Sequence, residues 1–141
     1  MSTHETNARL VEQLISLSGL VVGMTRSVVD AEGLTETQAN LLWLLDPAAE
    51  PRSLRQLAVR LQCDPSNITL ISAKLEEKGL AHRAPHPEDG RVRTLVLTKA
   101  GEEARARLLA TTYAHSPFTV LAEREQQQLH RLLGKVLASA G

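Results

Sequence analysis

Two short helix patterns, separated by a turn of only a few residues, constrain the fold more than any other feature of the sequence. Ser53 is typical of a helix N-cap, and apolar residues at helical spacing follow it to Leu61. Asp64 then caps a second pattern, with Pro65 in its first position, where a missing N–H costs nothing, and Gly79 just past its end. Two short helices joined by a turn of three or four residues predict a helix-turn-helix.

The segment after the second helix pattern loses helical spacing. Residues 80–83 are a short strand candidate, and residues 85–90 contain the prolines and the glycine of a turn. Residues 91–97 are rich in β-branched side chains and predict the returning strand of a hairpin. Because Arg91 and Arg93 directly follow the Asp-Gly pair, the tip is basic. Helix, turn, helix and basic hairpin follow one another in the order of a winged helix.

Helical patterns flank this unit on both sides, so we expect a mainly α fold with a small β-hairpin wing. Their apolar periodicity is that of amphipathic helices, and two of them begin at recognisable caps, Thr35 and Thr98. The expected helices cover about 7–31, 35–45, 98–113 and 121–138.

The first of these helices has an unusually wide apolar stripe. Leu10, Leu14 and Leu17 belong to one row, and Val11 and Ile15 belong to a second row beside it. A stripe wider than one core contact requires indicates that the helix touches a second surface. That surface is either the interior of the same chain or a second subunit, and the pattern favours a subunit interface.

Charge is unevenly distributed along the chain, although 16 basic and 16 acidic residues give a net charge of zero. Residues 1–51 hold 2 basic and 7 acidic side chains, a net charge of −5. Residues 52–107 hold 11 basic and 7 acidic side chains, a net charge of +4, and residues 108–141 have a net charge of +1. The basic excess therefore coincides with the expected winged helix, where phosphate contacts would be made.

Composition argues against several classes of protein. Aromatic residues are 2% of the chain, too few for the stacking platform of a single-strand nucleic-acid binder. The one cysteine, Cys63, cannot form an intramolecular disulfide, and we expect it to be a small buried hydrophobe rather than a redox switch. The five histidines lack the spacing of a zinc site, and no nucleophile elbow, phosphate loop or carboxylate pair indicates an enzyme. We expect no metal and no cofactor.

The chain shows no sign of a membrane or export segment. No apolar run approaches the roughly 18 residues of a membrane span. The first residues also lack the basic and apolar regions of a signal peptide. We therefore expect a cytoplasmic protein without a membrane partner.

The second helix of the predicted helix-turn-helix carries the candidate base-reading residues. If its apolar row is buried, a period of 3.6 directs another set of side chains to the opposite face, which in this motif enters the major groove. Ser66 and Thr69 can hydrogen-bond bases or phosphates, and Leu70 and Ala73 can touch thymine methyl groups. The candidate DNA contacts of this helix are Ser66, Asn67, Thr69, Leu70, Ala73 and Lys74.

Arginines in and near the hairpin form a second set of candidates. Arg91 can enter a minor groove, where narrow A·T tracts concentrate negative potential. We expect Asp89 to orient the wing by pairing with an arginine rather than to touch DNA. Arg93 in the wing, together with Arg52 and Arg55 at the first short helix, are expected phosphate contacts.

Several short stretches follow one another in a specific order. They are Leu34-Thr35-x-x-Gln38, Leu57-Ala58, Asp64 to Leu75 continuing as Leu75-Glu76-x-Lys78-Gly79-Leu80, His82-Arg83, Asp89-Gly90-Arg91 and Leu97-Thr98-x-x-Gly101. In this combination the sequence resembles the MarR family of bacterial transcription regulators over about residues 34–101. The resemblance implies a homodimer whose first helix and last two helices interlock, with one winged helix on each subunit. It also implies control by small ligands, often phenolic or carboxylate.

Two residues acquire a specific meaning from this resemblance. Trp43 lies on the helix where the family's ligand pocket tends to be, and core packing is its alternative role. Leu70 departs from the family, which often has a basic residue there. A bidentate guanine contact from that position is therefore excluded, and more of the recognition rests on DNA shape and backbone contacts.

Together these observations predict three regions and a function. We expect an N-terminal dimerisation helix over 1–34, a winged helix-turn-helix DNA-binding domain over 35–100, and C-terminal dimerisation helices over 101–141. The function expected is a dimeric, sequence-specific repressor that binds a pseudo-palindromic duplex with half-sites ~10 bp apart. A small aromatic or carboxylate effector would release it. The alternative is a winged-helix module that binds another protein and no DNA.

Overall fold

Side-chain caps determine where five of the helices begin in the computed structural model, which describes residues 1–140. At each cap a hydroxyl or carboxylate oxygen accepts a backbone N–H of the first turn, which would otherwise lack a partner. The caps are Ser2, Thr35, Ser53, Asp64 and Thr98. Four of these begin helices at the positions that the sequence predicts.

The order of elements is that of a winged helix between longer helices. The described part of the chain has six α-helices, one 3-10 turn and a two-stranded antiparallel hairpin, so the expected fold class is confirmed. The elements are α1 (Thr3–Ala31), α2 (Glu36–Leu44), α3 (Leu54–Leu61), α4 (Pro65–Glu77), β1 (Ala81–Pro85), β2 (Arg93–Leu97), α5 (Lys99–His115), the 3-10 turn (Pro117–Val120) and α6 (Glu123–Ala140).

Several boundaries differ from the sequence expectation. The largest differences are in α1 and the strands, and α5 and α6 each end two residues later than expected. Helix α1 begins at Thr3 rather than near residue 7, because Ser2 and Glu5 form a capping box that apolar periodicity does not reveal. The strands pair over 81–85 and 93–97 rather than 80–83 and 91–97, with Ala81 opposite Leu97. Residues 91 and 92 belong to the hairpin turn, which places Arg91 in the turn itself.

The hydrophobic core lies in the middle of the chain. It is formed by α2, α3, α4, the hairpin and the first half of α5, and Leu41, Leu42 and Leu57 are completely buried. Helix α1 adds only partly buried side chains at its C-terminal end, such as Val28 and Val29. The winged helix is therefore packed around its own core.

The outer helices present large apolar side chains to solvent. No described residue of α1 or α6 is buried, although both helices are amphipathic. Many large apolar side chains exposed together on one chain are typical of an interaction surface. Its exposed members include Leu10, Val11, Leu14, Ile15 and Leu20 on α1 and Leu132, Val136 and Leu137 on α6.

Helix α1 corrects the expectation that no segment has the composition of a membrane span. Over an 18-residue window its mean hydropathy is 1.4, so by length and composition alone it could cross a membrane. Residues 13–25 carry no charged side chain, and their glycines, serines and threonine break up the apolar run without lowering the mean far. This is weak evidence for a span, because a mostly buried core helix of a soluble protein and an N-terminal signal sequence pass the same test; α1 lies near the N-terminus, and none of its window is buried.

Candidate nucleic-acid interface

A three-residue turn sets the angle between α3 and α4. Gln62 ends α3 in the left-handed conformation, at φ 54°, where residues other than glycine are uncommon. Its N–H and that of Cys63 donate to α3 carbonyl oxygens, and Asp64 caps the next helix. Cys63 packs against the core but is only half-buried, so the expectation that it is a buried residue is wrong. The turn confirms the helix-turn-helix geometry.

Helix α4 separates a buried row from an exposed face. Ile68, Ile71 and Leu75 are buried against the core, as the sequence predicts. On the outer side Ser66, Asn67, Thr69, Leu70 and Lys74 are exposed, and Ala73 is half-buried. Leu70 is 66% exposed, so a large apolar side chain stands free on the face that would meet a partner.

The hydroxyl groups on this face make hydrogen bonds to their own helix. Ser66 Oγ donates to Asp64 Oδ1 at 2.6 Å, and Thr69 Oγ1 donates to the Pro65 carbonyl oxygen at 2.9 Å. Both hydroxyls keep lone pairs that can accept a hydrogen bond from a base amino group. The Ser66 hydroxyl and the Asn67 backbone N–H stabilise the Asp64 carboxylate and hold its pKa below the usual range.

Asp89 and Arg91 form a local pair at the wing tip. Asp89 Oδ1 accepts the backbone N–H of Arg91 at 3.1 Å and lies 3.4 Å from its Nε atom. The Arg91 side chain is nevertheless 94% exposed, so most of the guanidinium remains accessible. Arg93, at the first position of β2, is also exposed and makes no ion pair in the described part of the chain.

The other basic candidates differ in how far they are engaged by the protein. Arg52 Nη1 donates to the Leu44 carbonyl oxygen at 3.3 Å, so this half-buried side chain also closes the end of α2. Lys74 lies 3.3 Å from Glu77 on the same helix. Arg55 is exposed, and within residues 1–140 it makes no ion pair. Of these three, Arg55 is the least engaged.

Three cations that connect different elements of the fold were not identified from the sequence. Lys78 Nζ donates to the Gly33 carbonyl oxygen at 2.7 Å, and Arg105 Nε donates to the Trp43 carbonyl oxygen at 3.1 Å. Arg83 bridges the hairpin and α4, with Nε 2.8 Å from Glu76 Oε1. Only tertiary structure brings Lys78 and Arg105 to their partners, which are 45 and 62 residues away in sequence.

A cavity of about 540 Å³ lies beside Trp43. Its walls come from α1, α2, α3 and α5, and Trp43 lines it, half-buried. Apolar side chains make up most of the lining, which also includes Arg60 and Gln62 from the end of α3. The lining residues are Val21, Val22, Thr25, Val29, Glu36, Ala39, Asn40, Trp43, Leu44, Arg60, Leu61, Gln62 and Leu108.

The fold and this face define a winged helix-turn-helix. Residues 34–92 match the family model described as MarR family, and they contain α2, α3, α4 and the hairpin up to its turn. The match confirms the resemblance predicted from the sequence over this segment, which is less than half of the chain.

One curated relative is the HTH-type transcriptional repressor IacR of Pseudomonas putida, which is 33% identical over 95 residues. That alignment covers 66% of this chain and 56% of the repressor, so the chain matches little more than half the length of this relative. The relative is a transcriptional repressor, which agrees with the expectation that this chain is not an enzyme.

Two solved structures share the fold over nearly the whole chain. CouR from Rhodococcus jostii RHA1, bound to p-coumaroyl-CoA, aligns with a TM-score of 0.76 at 26% identity and covers 89% of each chain. The transcriptional repressor CouR bound to a 23-mer DNA duplex aligns with a TM-score of 0.69 at 24% identity, covering 96% of this chain and 97% of the other.

Proposed function

We propose that this protein is a transcriptional regulator that binds double-stranded DNA as a homodimer. The exposed face of α4 carries the proposal, because the opposite row of the same helix is buried and the outer face is therefore free to enter a major groove. The fold is also that of CouR, a repressor whose structure on a DNA duplex is known. Since the curated relative is a repressor, we propose repression rather than activation.

The α4 face would read bases mainly by acceptors and apolar contacts. With their protons engaged, Ser66 and Thr69 would accept from the amino groups of cytosine or adenine. Leu70 and Ala73 would touch thymine methyl groups, and Asn67 would reach adenine or a phosphate. Arg55, Lys74 and Arg52 would contact phosphates, and of the three Arg55 has the fewest bonds to the described part of the protein.

The wing would extend the footprint into an adjacent minor groove. Arg91 is the residue proposed to enter it, held at its base by Asp89, while Arg93 would contact a phosphate. Electrostatic attraction at this point is strong because narrow A·T tracts concentrate negative potential.

The apolar surface of α1 and α6 supports the homodimer. Both helices expose leucine and valine side chains at helical spacing, and a second copy of the same surface would bury them. In this arrangement residues 1–34 and 101–141 would join the subunits, and residues 35–100 would bind DNA. The two winged helices of the dimer would then face a pseudo-palindromic operator with half-sites ~10 bp apart.

The Trp43 cavity would hold a small aromatic or carboxylate effector. Its volume lies within the usual range for ligand sites, roughly 300–1,000 Å³. Trp43 offers a ring for stacking, and the guanidinium of Arg60 offers a partner for a carboxylate. Because Arg60 and Gln62 belong to the end of α3, a ligand bound there would change the angle between α3 and α4. The changed angle would lower the affinity for the operator and so release it.

Binding to the duplex upstream of the protein's own gene tests the DNA-binding role. Arg91→Ala should weaken operator binding about tenfold, since minor-groove readout and one charge contact are lost. Arg124→Ala, in the first turns of α6, is the control and should bind like the wild type. Equal binding by Arg91→Ala and the wild type would refute the wing's role.

The sole tryptophan gives a direct test of the effector site. A ligand in the cavity should change Trp43 fluorescence, so the protein is titrated with a panel of aromatic carboxylates. A compound that quenches Trp43 should also release the operator, and Arg60→Gln should weaken both effects in parallel. Quenching without any change in operator affinity would contradict the effector role.

The alternative function is a protein-binding winged helix, and the exposure of Leu70 favours it. A module of this kind would place Leu70 in a partner's pocket, where it would be desolvated. The two functions differ in salt dependence, because only DNA binding displaces condensed counterions and gives a steep log–log slope. Either function is compatible with the cytoplasmic location that we propose.

A further inference from the structure

Arg83 connects the wing to two points on α4. Its Nε atom lies 2.8 Å from Glu76 Oε1, and its Nη2 atom donates to the Thr69 carbonyl oxygen at 3.3 Å. Thr69 and Glu76 are seven residues apart, which is close to two helical turns, so both acceptors lie along one side of α4. One guanidinium from β1 therefore contacts two residues of the helix that carries the candidate base-reading residues.

Strand β2 packs into the core, with Thr94 and Leu95 buried and Thr94 paired with Ser53, whereas only Ala81 of β1 is buried. The base of the hairpin is also held to the core. Thr98 N donates to the Leu80 carbonyl oxygen at 3.0 Å, and Thr98 Oγ1 donates to the Gly79 carbonyl oxygen at 2.6 Å. A two-stranded hairpin has little stability or rigidity of its own. Arg83 lies two residues beyond Ala81 toward the tip, so its contacts limit the tilt of the part that carries Arg91.

We infer that Arg83 and Glu76 are positioning residues that hold the wing at a fixed angle to α4. The inference rests on the proposed function, since the angle matters when α4 and the wing must enter neighbouring grooves of one duplex. A carboxylate on a helix that approaches phosphates is unfavourable by itself. The ion pair with Arg83 gives Glu76 a role that offsets this repulsion.

Positioning by Glu76 and repulsion of DNA by Glu76 predict opposite changes in DNA affinity for Glu76→Gln. If Glu76 only repels DNA, Glu76→Gln tightens binding. If Glu76 positions the wing, Glu76→Gln weakens specific binding about five- to tenfold and leaves binding to random duplex unchanged. Glu77→Gln is the matched control, because Glu77 is the next residue and, among residues 1–140, its one ion pair is with Lys74 on its own helix. It should bind the operator at least as tightly as the wild type.

Arg83→Gln separates positioning from a direct phosphate contact. As a positioning residue, it should weaken specific binding to the same extent as Glu76→Gln, and the double variant should be little worse than either single variant. The slope of log affinity against log salt should stay that of the wild type. A slope reduced by about one, with Glu76→Gln tightening binding, would show that Arg83 contacts phosphate and would overturn the inference.

Hydrogen exchange tests the same inference without DNA, and so separates its failure from failure of the proposed function. Amides of residues 81–97 should exchange several-fold faster in Glu76→Gln and Arg83→Gln than in Glu77→Gln, with exchange in α2 unchanged. Unchanged hairpin exchange in both variants would overturn the inference. If the wild type bound no duplex, the proposed DNA-binding function would fail, and the exchange result would still decide whether the pair holds the wing.

Discussion

The Nζ atom of Lys78 donates a hydrogen bond of 2.7 Å to the carbonyl oxygen of Gly33. Lys78 is the C-cap of α4, and Gly33 follows α1 in the left-handed conformation at φ 68°. The bond therefore ties the end of the candidate reading helix to the end of the long N-terminal helix. Through this hydrogen bond, a shift of α1 would also displace the end of α4.

Loss of this bond should destabilise the chain. Lys78→Met removes the charged donor and keeps the aliphatic stem, and we expect the free energy of unfolding to fall by about 1 kcal/mol. Lys74→Met is the control, because in the part of the chain that the structure describes Lys74 pairs with Glu77 on its own helix and with no other element. Urea denaturation monitored by circular dichroism measures both variants. Equal losses in the two would show that the Gly33 contact contributes nothing specific.

Acid should weaken the link between α1 and α5. Arg107 makes a two-pronged ion pair with Glu32, one arm of which is a hydrogen bond of 3.0 Å from Nη2 to Oε2, and this holds the pKa of Glu32 below the usual value of 4.5. A lowered folded-state pKa gives stability that is complete above pH 4.5 and is lost as the pH falls through the lowered value.

The comparison of Glu32→Gln with the wild type checks this pH dependence. At neutral pH the variant should melt at a lower temperature, and the two melting curves should converge as the pH falls below 4.5. Glu12→Gln, which removes a carboxylate without an ion pair in the described residues, should follow the wild type throughout. A gap that persists unchanged into acid would mean that the ion pair is not its cause.

Gly101 is required for the packing of α5 against the end of α4. A Cβ atom there would lie 2.9 Å from the carbonyl carbon of Leu80 and closer still to its oxygen, and 3.1 Å from Leu97 Cδ2. Backbone atoms cannot move aside as a flexible side chain does, so Gly101→Ala should destabilise the fold by about 2–4 kcal/mol. Glu102→Ala, one position on, should lose less than about 1 kcal/mol. Thermal denaturation distinguishes them, and a Gly101→Ala variant as stable as the wild type would refute the close approach.

The N-cap of α4 should matter for stability and for DNA binding together. Asp64→Ala leaves the Asn67 N–H without its 2.8 Å acceptor, so we expect a loss of about 1 kcal/mol and fraying of the turn that carries Ser66. Asp64→Asn keeps a capping oxygen and should retain most of the stability. Chemical denaturation and operator titration of both variants check this. If Asp64→Asn lost as much as Asp64→Ala, the charge rather than the cap would be the cause.

Local chemistry explains which parts of the fold the sequence predicts. The caps Thr35, Ser53, Asp64 and Thr98 act within three residues of themselves, so their helices begin where the sequence places them. The start of α1 was missed because its first turns are polar and only a capping box marks them. The strand ends were missed by two residues because pairing, not propensity, determines where a hairpin stops.

The candidate site was predicted less completely than the fold. The buried and exposed sides of α4 follow from helical period, so Ser66, Thr69 and Leu70 could be identified from sequence. Arg83 and Lys78 could not, because their roles depend on which carbonyl or carboxylate oxygens tertiary packing brings near them. The sequence predicts only a phosphate contact for Arg52, whereas in the structure its side chain also donates a hydrogen bond at the end of α2.

A titration of the labelled duplex upstream of the protein's own gene tests the central claim most directly. Fluorescence anisotropy at several salt concentrations gives the affinity and the number of subunits bound. We predict two subunits per duplex, a steep fall of log affinity with log salt, and a large loss of affinity when one half-site is scrambled. Binding that is absent at low salt, or indifferent both to salt and to the scrambled half-site, would contradict the claim that two winged helices read one operator.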